Sequence, residues 1–285
     1  MQNTEIKNEL FRQAVEAIDH GDVVLLERLL NMNPHIVGTR LDYPAGGYFR
    51  DPYLLWFVAD NPIRHERLPA NIVEIASLLI HFARQYADES FTFQTGYALG
   101  LVVTGRIPRE CGVQIELMDL LLDAGAAPGN GHGALAHGNT DAAKHLLKRG
   151  GELTLATAIC LDIMDEVPRL LETASSKDLE IALVAAAFYG KADMLKLLIA
   201  SGANVNAYLD ASSGFHHHAS ALHQAVFSAS LDAVKILVNA GADLSARDRI
   251  YGGIPLGWAQ HMQKEGNELD KSRYAAIEAF LVSCK

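Results

Sequence analysis

The stretch ADMLKLLIASGANVNA at residues 192–207 aligns without a gap on LDAVKILVNAGADLSA at residues 231–246. In the first copy, apolar residues such as Leu195 and Leu198 recur with the period of a helix, so one face of that helix needs a packing partner. Gly202 then supplies the left-handed backbone conformation that commonly ends a helix. Each stretch therefore predicts a short amphipathic helix that is closed by a glycine.

A second sequence motif occurs in the best-matching repeats. SALHQA at residues 220–225 and IPLGWA at residues 254–259 share a leucine, and Leu222 and Leu256 are 34 residues apart (256 − 222 = 34). Both phrases resemble the ankyrin opening Thr-Pro-Leu-His-x-Ala, and ankyrin repeats have a period of about 33 residues. The chain thus resembles the ankyrin-repeat family, which implies an all-α solenoid in which inner helices and finger loops form a concave binding surface.

The repeats are irregular in length. The positions that we expect to end helices are Gly125, Gly150, Ser175, Gly202 and Gly241, with spacings of 25, 25, 27 and 39 residues. The short steps leave no room for the hairpin finger that joins ankyrin units, so the middle of the array is expected to consist of helix pairs with tight turns. The long step predicts an enlarged finger at residues 208–219.

Weaker helix pairs extend the pattern toward the amino terminus. We expect about eight pairs in a single ankyrin-repeat domain over residues 1–285, because one pair cannot bury its own apolar face and each depends on its neighbours. The domain is expected to comprise degenerate amino-terminal repeats and a cap (1–90), shortened repeats (91–176), and the best-matching repeats with a carboxy-terminal cap (177–285). The first three predicted pairs are 10–18 with 21–30, 52–59 with 72–82, and 97–104 with 114–124.

Composition narrows the class of partner and the compartment. The formal net charge is −10, with 34 acidic and 24 basic residues, and no basic stripe offsets it, so we expect no nucleic-acid partner. Three cysteines far apart in sequence indicate a reducing compartment. A charged amino terminus argues against a secretory signal, and the longest apolar stretch is far shorter than the ~18 residues of a membrane span. We therefore expect a cytoplasmic monomer without a cofactor or a membrane contact.

The run His216-His217-His218 in the predicted finger is the most unusual feature of the sequence. Neutral histidine is a common zinc ligand, but adjacent residues of an extended loop point in alternate directions and seldom converge on one ion. The run is therefore interpreted as a partner-contacting or helix-capping loop, with a metal site and a solvated loop as alternatives. The family resemblance implies a structural hydrogen-bonding role for the neighbouring His223.

No residue pattern indicates catalysis. The glycine-rich segment at residues 129–133 lacks the Gly-Lys-Ser/Thr sequence of a phosphate-binding loop, and no serine or cysteine lies in a known nucleophile motif. The sequence favours a non-catalytic protein-binding scaffold. The alternative is a small-molecule or metal-binding protein or an enzyme with its site at the His-rich finger, residues 208–223.

Aromatic residues near the finger suggest where a protein partner binds. By the ankyrin resemblance, Phe188, Tyr189 and Phe227 lie at the ends of inner helices, where they tend to face the concave surface. The alternative is that Phe188 and Phe227 only cover the large fingers of neighbouring repeats, whereas Trp258 is interpreted as core. The predicted partner-binding residues are Phe188, Tyr189, Phe215, His216, His217, His218, Phe227, Arg249 and Tyr251.

Overall fold

The computed structural model describes residues 5–43, 47–265 and 267–284, so the outermost residues of the predicted domain 1–285 lie outside the described residues. Every regular element in the described part is a helix, and no strand occurs there. The all-α prediction is confirmed. None of the helices in these ranges is both long and apolar enough to cross a bilayer.

The residue contacts divide the chain into two compact units. Unit 1 comprises Met1–Gly129 with Lys148–Gly151, and unit 2 comprises Asn130–Leu147 with Glu152–Lys285. The division after residue 129 coincides with neither of the internal boundaries predicted at residues 90 and 176. The single-domain organisation stays a prediction.

Unit 1 contains six α-helices and several 3-10 helices in its described part. The α-helices are α1 (Glu9–His20), α2 (Val23–Met32), α3 (Ile72–Tyr86), α4 (Phe91–Thr104), α5 (Arg106–Glu110) and α6 (Gln114–Asp123), and the 3-10 helices are Pro34–Gly38, Leu54–Ala59 and Asp88–Ser90. The helix Leu54–Ala59 is buried over its whole length. It contacts α1 and α4, while α3 contacts α2 and α6.

Unit 2 repeats one arrangement several times. Its α-helices are α7 (His132–Ala136), α8 (Thr140–Lys148), α9 (Leu155–Cys160), α10 (Val167–Glu172), α11 (Ser176–Phe188), α12 (Ala192–Ala200), α13 (Ala221–Phe227), α14 (Leu231–Asn239), α15 (Pro255–Glu265) and α16 (Glu268–Ser283), and its 3-10 helices are Met164–Glu166 and Ala211–Ser213. The first helices pack side by side in the order α9, α11, α13, α15, and the second helices in the order α12, α14, α16.

The helices of the described residues form eight consecutive pairs, with Leu54–Ala59 as the first member of the second pair. This agrees with the number that the sequence predicts. The third pair is joined through the short helix α5, which lies between the two helices predicted at residues 97–104 and 114–124. Helix α11 is apolar on nearly every side, because it is enclosed between α9 and α13.

The predicted helix ends are correct at the glycines and wrong at Ser175. Gly202 and Gly241 follow α12 and α14 with φ values of 94° and 89°. Ser175 instead precedes α11: its hydroxyl accepts a hydrogen bond from the amide of Asp178, whose carboxylate accepts one from the amide of Ser175. This capping box marks a helix start. The preceding helix α10 already ends at Glu172.

Candidate protein-binding site

The enlarged finger lies between α12 and α13, as the long repeat spacing predicts, and it is packed instead of being freely solvated. Leu209, Ser213 and Phe215 are each less than 5% exposed. The 3-10 helix Ala211–Ser213 ends at Gly214, which adopts the left-handed conformation with φ 68°. The finger is therefore a defined structural element that can position side chains.

His132 in α7 anchors this finger. Its Nδ1 lies 2.9 Å from the backbone oxygen of Ser213, and its Nε2 lies 2.8 Å from the hydroxyl of Thr154. The carbonyl only accepts, so Nδ1 carries the proton, and Nε2 accepts a hydrogen bond from Thr154. Burial lowers the pKa of His132. The sequence analysis missed this role of His132. A signal was present, because His132 lies six residues before Gly138, which follows its helix, just as His223 lies six residues before Ala229.

His223 has the structural role that the family resemblance implies. Its side chain is fully buried; Nε2 donates to the backbone oxygen of Gly253 at 3.0 Å, and Nδ1 accepts from the hydroxyl of Ser220 at 2.8 Å. Burial lowers the pKa of His223, which favours the neutral ring. With both nitrogens occupied, His223 links the start of α13 to the loop that precedes α15.

Arg249 joins the two fingers of this region. Its amide donates to the backbone oxygen of His218 at 2.7 Å, and its Nη1 lies 3.2 Å from the backbone oxygens of both Leu209 and His217. The guanidinium lies 4.7 Å from the ring centroid of Tyr208. Arg249 is exposed, but its amide and its Nη1 already donate hydrogen bonds within the chain. It therefore stabilises the finger at residues 208–219.

The second finger turns around the buried carboxylate of Asp248. This carboxylate accepts hydrogen bonds from the amides of Ile250, Tyr251 and Gly253, and from the indole nitrogen of Trp258 at 3.1 Å. Burial opposes ionisation, but the hydrogen bonds outweigh it and hold the pKa of Asp248 at about 2. The turn leaves the side chain of Tyr251 87% exposed.

An apolar groove lies beside this turn on the first-helix side of unit 2. It has a volume of about 640 Å³. The residues that line it are Phe227, Asp248, Tyr251, Gly253, Gly257, Trp258, His261 and Met262. Trp258 is therefore partly exposed in the groove, and its prediction as a core residue is wrong, because Asp248 holds its indole at the groove wall.

A smaller pocket of about 90 Å³ adjoins the groove and shares Phe227 and Trp258 with it. Its other lining residues are Phe188, His216, His218 and Gln224. The rings of Phe188 and Phe227 stack at 5.3 Å with an interplanar angle of 9°, and the ring of His216 lies 4.5 Å from that of Phe188. Four predicted partner-binding residues, Phe188, His216, His218 and Phe227, thus line one pocket.

Three of the predicted residues do not offer a free surface. Phe215 is 3% exposed and packs edge-on against Phe188 and His132, so its prediction as a partner contact is wrong. Its burial follows from finger contacts with a distant part of the chain. Tyr189 is half-buried and donates its hydroxyl to the backbone oxygen of Leu135 at 2.8 Å. Arg249 is used within the fingers, as described above.

The remaining predicted residues divide between the pocket and the surface. His217 is exposed on the finger, whereas His216 and His218 are partly buried and line the pocket. Within the described part of the chain, no group of three or more histidine, cysteine, aspartate or glutamate residues is arranged to hold a metal ion. Sequence reasoning missed Gln224, His261 and Met262, which carry no pattern of their own and line the site only through tertiary packing.

Comparison with known proteins agrees with the repeated helix pairs. Residues 112–248 match the family model described as ankyrin repeats, in three copies. Among solved structures, the chain is similar to the crystal structure of the ankyrin repeat domain of Bcl-3, a unique member of the IkappaB protein family. The two sequences are 22% identical, and the match covers 86% of this chain and 92% of that chain with a TM-score of 0.32. No curated protein sequence matches the chain significantly.

Proposed function

Since the chain is an ankyrin-repeat protein, we propose that it is a non-catalytic scaffold that binds another protein through the groove on the first-helix side of unit 2. Ankyrin repeats are in general protein-interaction modules. The observation that carries the proposal is the exposed aromatic rim: Tyr251 is 87% exposed and Phe227 42% exposed at one apolar groove. Exposed apolar surface of this kind is typical of interaction sites.

The shape and chemistry of the groove suit a side chain of a protein partner. Trp258, Phe227 and Met262 form apolar walls, and Trp258 is fixed by its hydrogen bond to Asp248. Tyr and Trp are enriched among the residues that dominate binding energy at interfaces. Because the fingers are already ordered by Arg249 and His132, binding here costs little conformational entropy.

Catalysis has less support at this site. The rings of His132 and His223 are both buried with their two nitrogens engaged, so neither is free to transfer a proton to a substrate. Burial, followed by the charges of His218 and His137, lowers the pKa of His216 to about 4, which leaves it uncharged at neutral pH. We therefore favour binding over proton-transfer chemistry.

The decisive experiment compares partners captured from a lysate by the full chain and by two variants. Tyr251→Ala removes an exposed side chain and should leave the fold intact, yet we expect it to weaken capture of a specific partner by roughly tenfold or more. Met32→Ala is the matched control, since Met32 is 71% exposed in unit 1. Equal capture by all three proteins would contradict the proposed groove.

We also propose that the protein is cytoplasmic and monomeric. The support is the separation of Cys111, Cys160 and Cys284 in the sequence; in the structure Cys160 is buried and the other two are exposed as free thiols. Light scattering coupled to size exclusion should give one mass near 31.0 kDa. A mass near twice that value would contradict the monomer.

A further inference from the structure

Two side chains that line the small pocket each carry a buried polar atom that the protein itself leaves without a partner. Gln224 is only 2% exposed, and its Nε2 makes no hydrogen bond; Nε2 of His216 is buried and makes none either. A buried polar atom without a hydrogen bond is costly, and most such atoms are satisfied. Both atoms belong to side chains that line the same pocket, beside the groove.

The chemistry of the two atoms is complementary. Nε2 of Gln224 is an amide nitrogen and can only donate. A neutral histidine ring carries one N–H and one lone pair, so the unpartnered Nε2 of His216 accepts a hydrogen bond in the tautomer whose proton lies on Nδ1. The pocket thus offers one donor and one acceptor.

The pocket is also uncharged and has aromatic walls. Phe188, Phe227 and Trp258 line it, and no lysine, arginine, aspartate or glutamate is among its lining residues. A carboxylate or an ammonium group would lose its hydration there without an opposite charge to replace it. A water needs roughly 10–15 Å³ of such space, so a pocket of about 90 Å³ holds a group of several atoms.

We propose that this pocket binds a neutral side-chain carboxamide, from an asparagine or a glutamine of the partner that occupies the groove. The carboxamide oxygen accepts from Gln224, and its amino group donates to His216. This inference deepens the proposed function, on which it rests, by naming the chemistry of the partner. An apolar side chain of the same partner segment fills the adjoining groove, because the two cavities share Phe227 and Trp258.

The test uses acetamide as the probe and the full chain labelled with ¹⁵N and ¹³C. We expect saturable shifts of the Gln224 side-chain amide and of the His216 ring, with a dissociation constant on the order of millimolar, as suits a ligand of four heavy atoms. Acetate and acetamidinium have the same size but carry a charge, and they should bind at least roughly tenfold more weakly. The ring signals of His132 and His223 serve as internal controls, since their nitrogens are already engaged.

A variant then assigns the binding to the pocket. Gln224→Met keeps the length of the side chain and removes the donor, and it should weaken acetamide binding by roughly tenfold. His217→Asn changes an exposed residue of the same finger and should bind acetamide as the native chain does. The comparison of acetamide with acetate on the native chain remains decisive if the Gln224 variant does not fold.

Three outcomes overturn the inference: no response to acetamide, an equal response to acetate, or a crystal soaked in acetamide that shows only water on Gln224 and His216. Each is distinct from a failure of the proposed function. If Tyr251→Ala loses the captured partner while acetamide does not bind, the groove binds a protein and the carboxamide assignment is wrong. If acetamide binds and no partner depends on Tyr251, the scaffold function is wrong.

Discussion

At the scale of single residues, the end of the first helix in a pair shows how the repeats differ. Gly190 follows α11 with a φ of 63°, and its amide donates to the backbone oxygen of Ala187. Ala229 occupies the corresponding place after α13 with a φ of 55° and donates to Val226. The left-handed conformation costs an alanine about 1 kcal/mol or more, whereas a glycine adopts it freely.

We expect Ala229→Gly to stabilise the protein by roughly 0.5–1 kcal/mol, because relief of the left-handed strain exceeds the added entropy of the unfolded glycine. The reverse change, Gly190→Ala, should destabilise by at least about 1 kcal/mol, since its new Cβ would also lie 3.2 Å from Cβ of Ser230. Urea unfolding measures the free energy of unfolding of both variants, provided that its dependence on urea concentration is the same as in the native chain. A loss of stability in Ala229→Gly would show that the φ at this residue carries no strain.

At the scale of elements, the finger at residues 208–219 holds a partly buried histidine, and protonation of this ring couples the stability of the finger to pH. His216 packs against Phe188 and Phe215, and burial, followed by the charges of His218 and His137, lowers its pKa to about 4. The unfolded chain has an ordinary histidine pKa near 6.5 and binds the proton first as the pH falls. The stability that His216 contributes is therefore complete above about pH 6.5 and is lost as the pH falls toward 4.

We expect His216→Phe to reduce the loss of unfolding free energy between pH 7 and pH 4 by about 2–3 kcal/mol, since the variant has no ring to protonate. His217→Phe is the control, because its residue lies exposed on the same finger. Urea unfolding at both pH values gives the difference, and the carboxyl groups that also titrate in this range cancel between variants. An unchanged pH dependence in His216→Phe would place the acid sensitivity elsewhere.

The elements also show what the sequence could and could not predict. Helices α12 and α14 were predictable because an apolar stripe and a closing glycine are local signals. Phe215 and Trp258 were assigned to the wrong environments, since side-chain contacts with His132 and Asp248 place them, and the local pattern does not show these contacts. The unpartnered atoms of Gln224 and His216 have no sequence signal at all, because only packing decides which polar atoms stay unsatisfied.

At the scale of the whole molecule, repetition makes stability local. In helical repeats each pair contacts mainly its neighbours, so a change in one region is felt there first. In unit 1, Arg64 holds such a neighbour contact: Nη1 and Nη2 bind the carboxylate of Asp19 at 3.0 and 2.6 Å, and Nε lies 3.7 Å from Asp60. All three side chains are at least nine-tenths buried, and they join α1 to the residues that follow Leu54–Ala59.

We expect Arg64→Met to lower the stability of unit 1 by about 3–5 kcal/mol, because it leaves two buried carboxylates without their guanidinium. Hydrogen exchange should then accelerate for amides of α1 and α3 and stay unchanged for α11, α13 and α15 in unit 2. Arg169→Met is the matched control, since its partner Glu166 and Arg169 itself are exposed to solvent. Equal acceleration in both units would mean that the chain unfolds as one cooperative body, which is the behaviour that a single domain over residues 1–285 predicts.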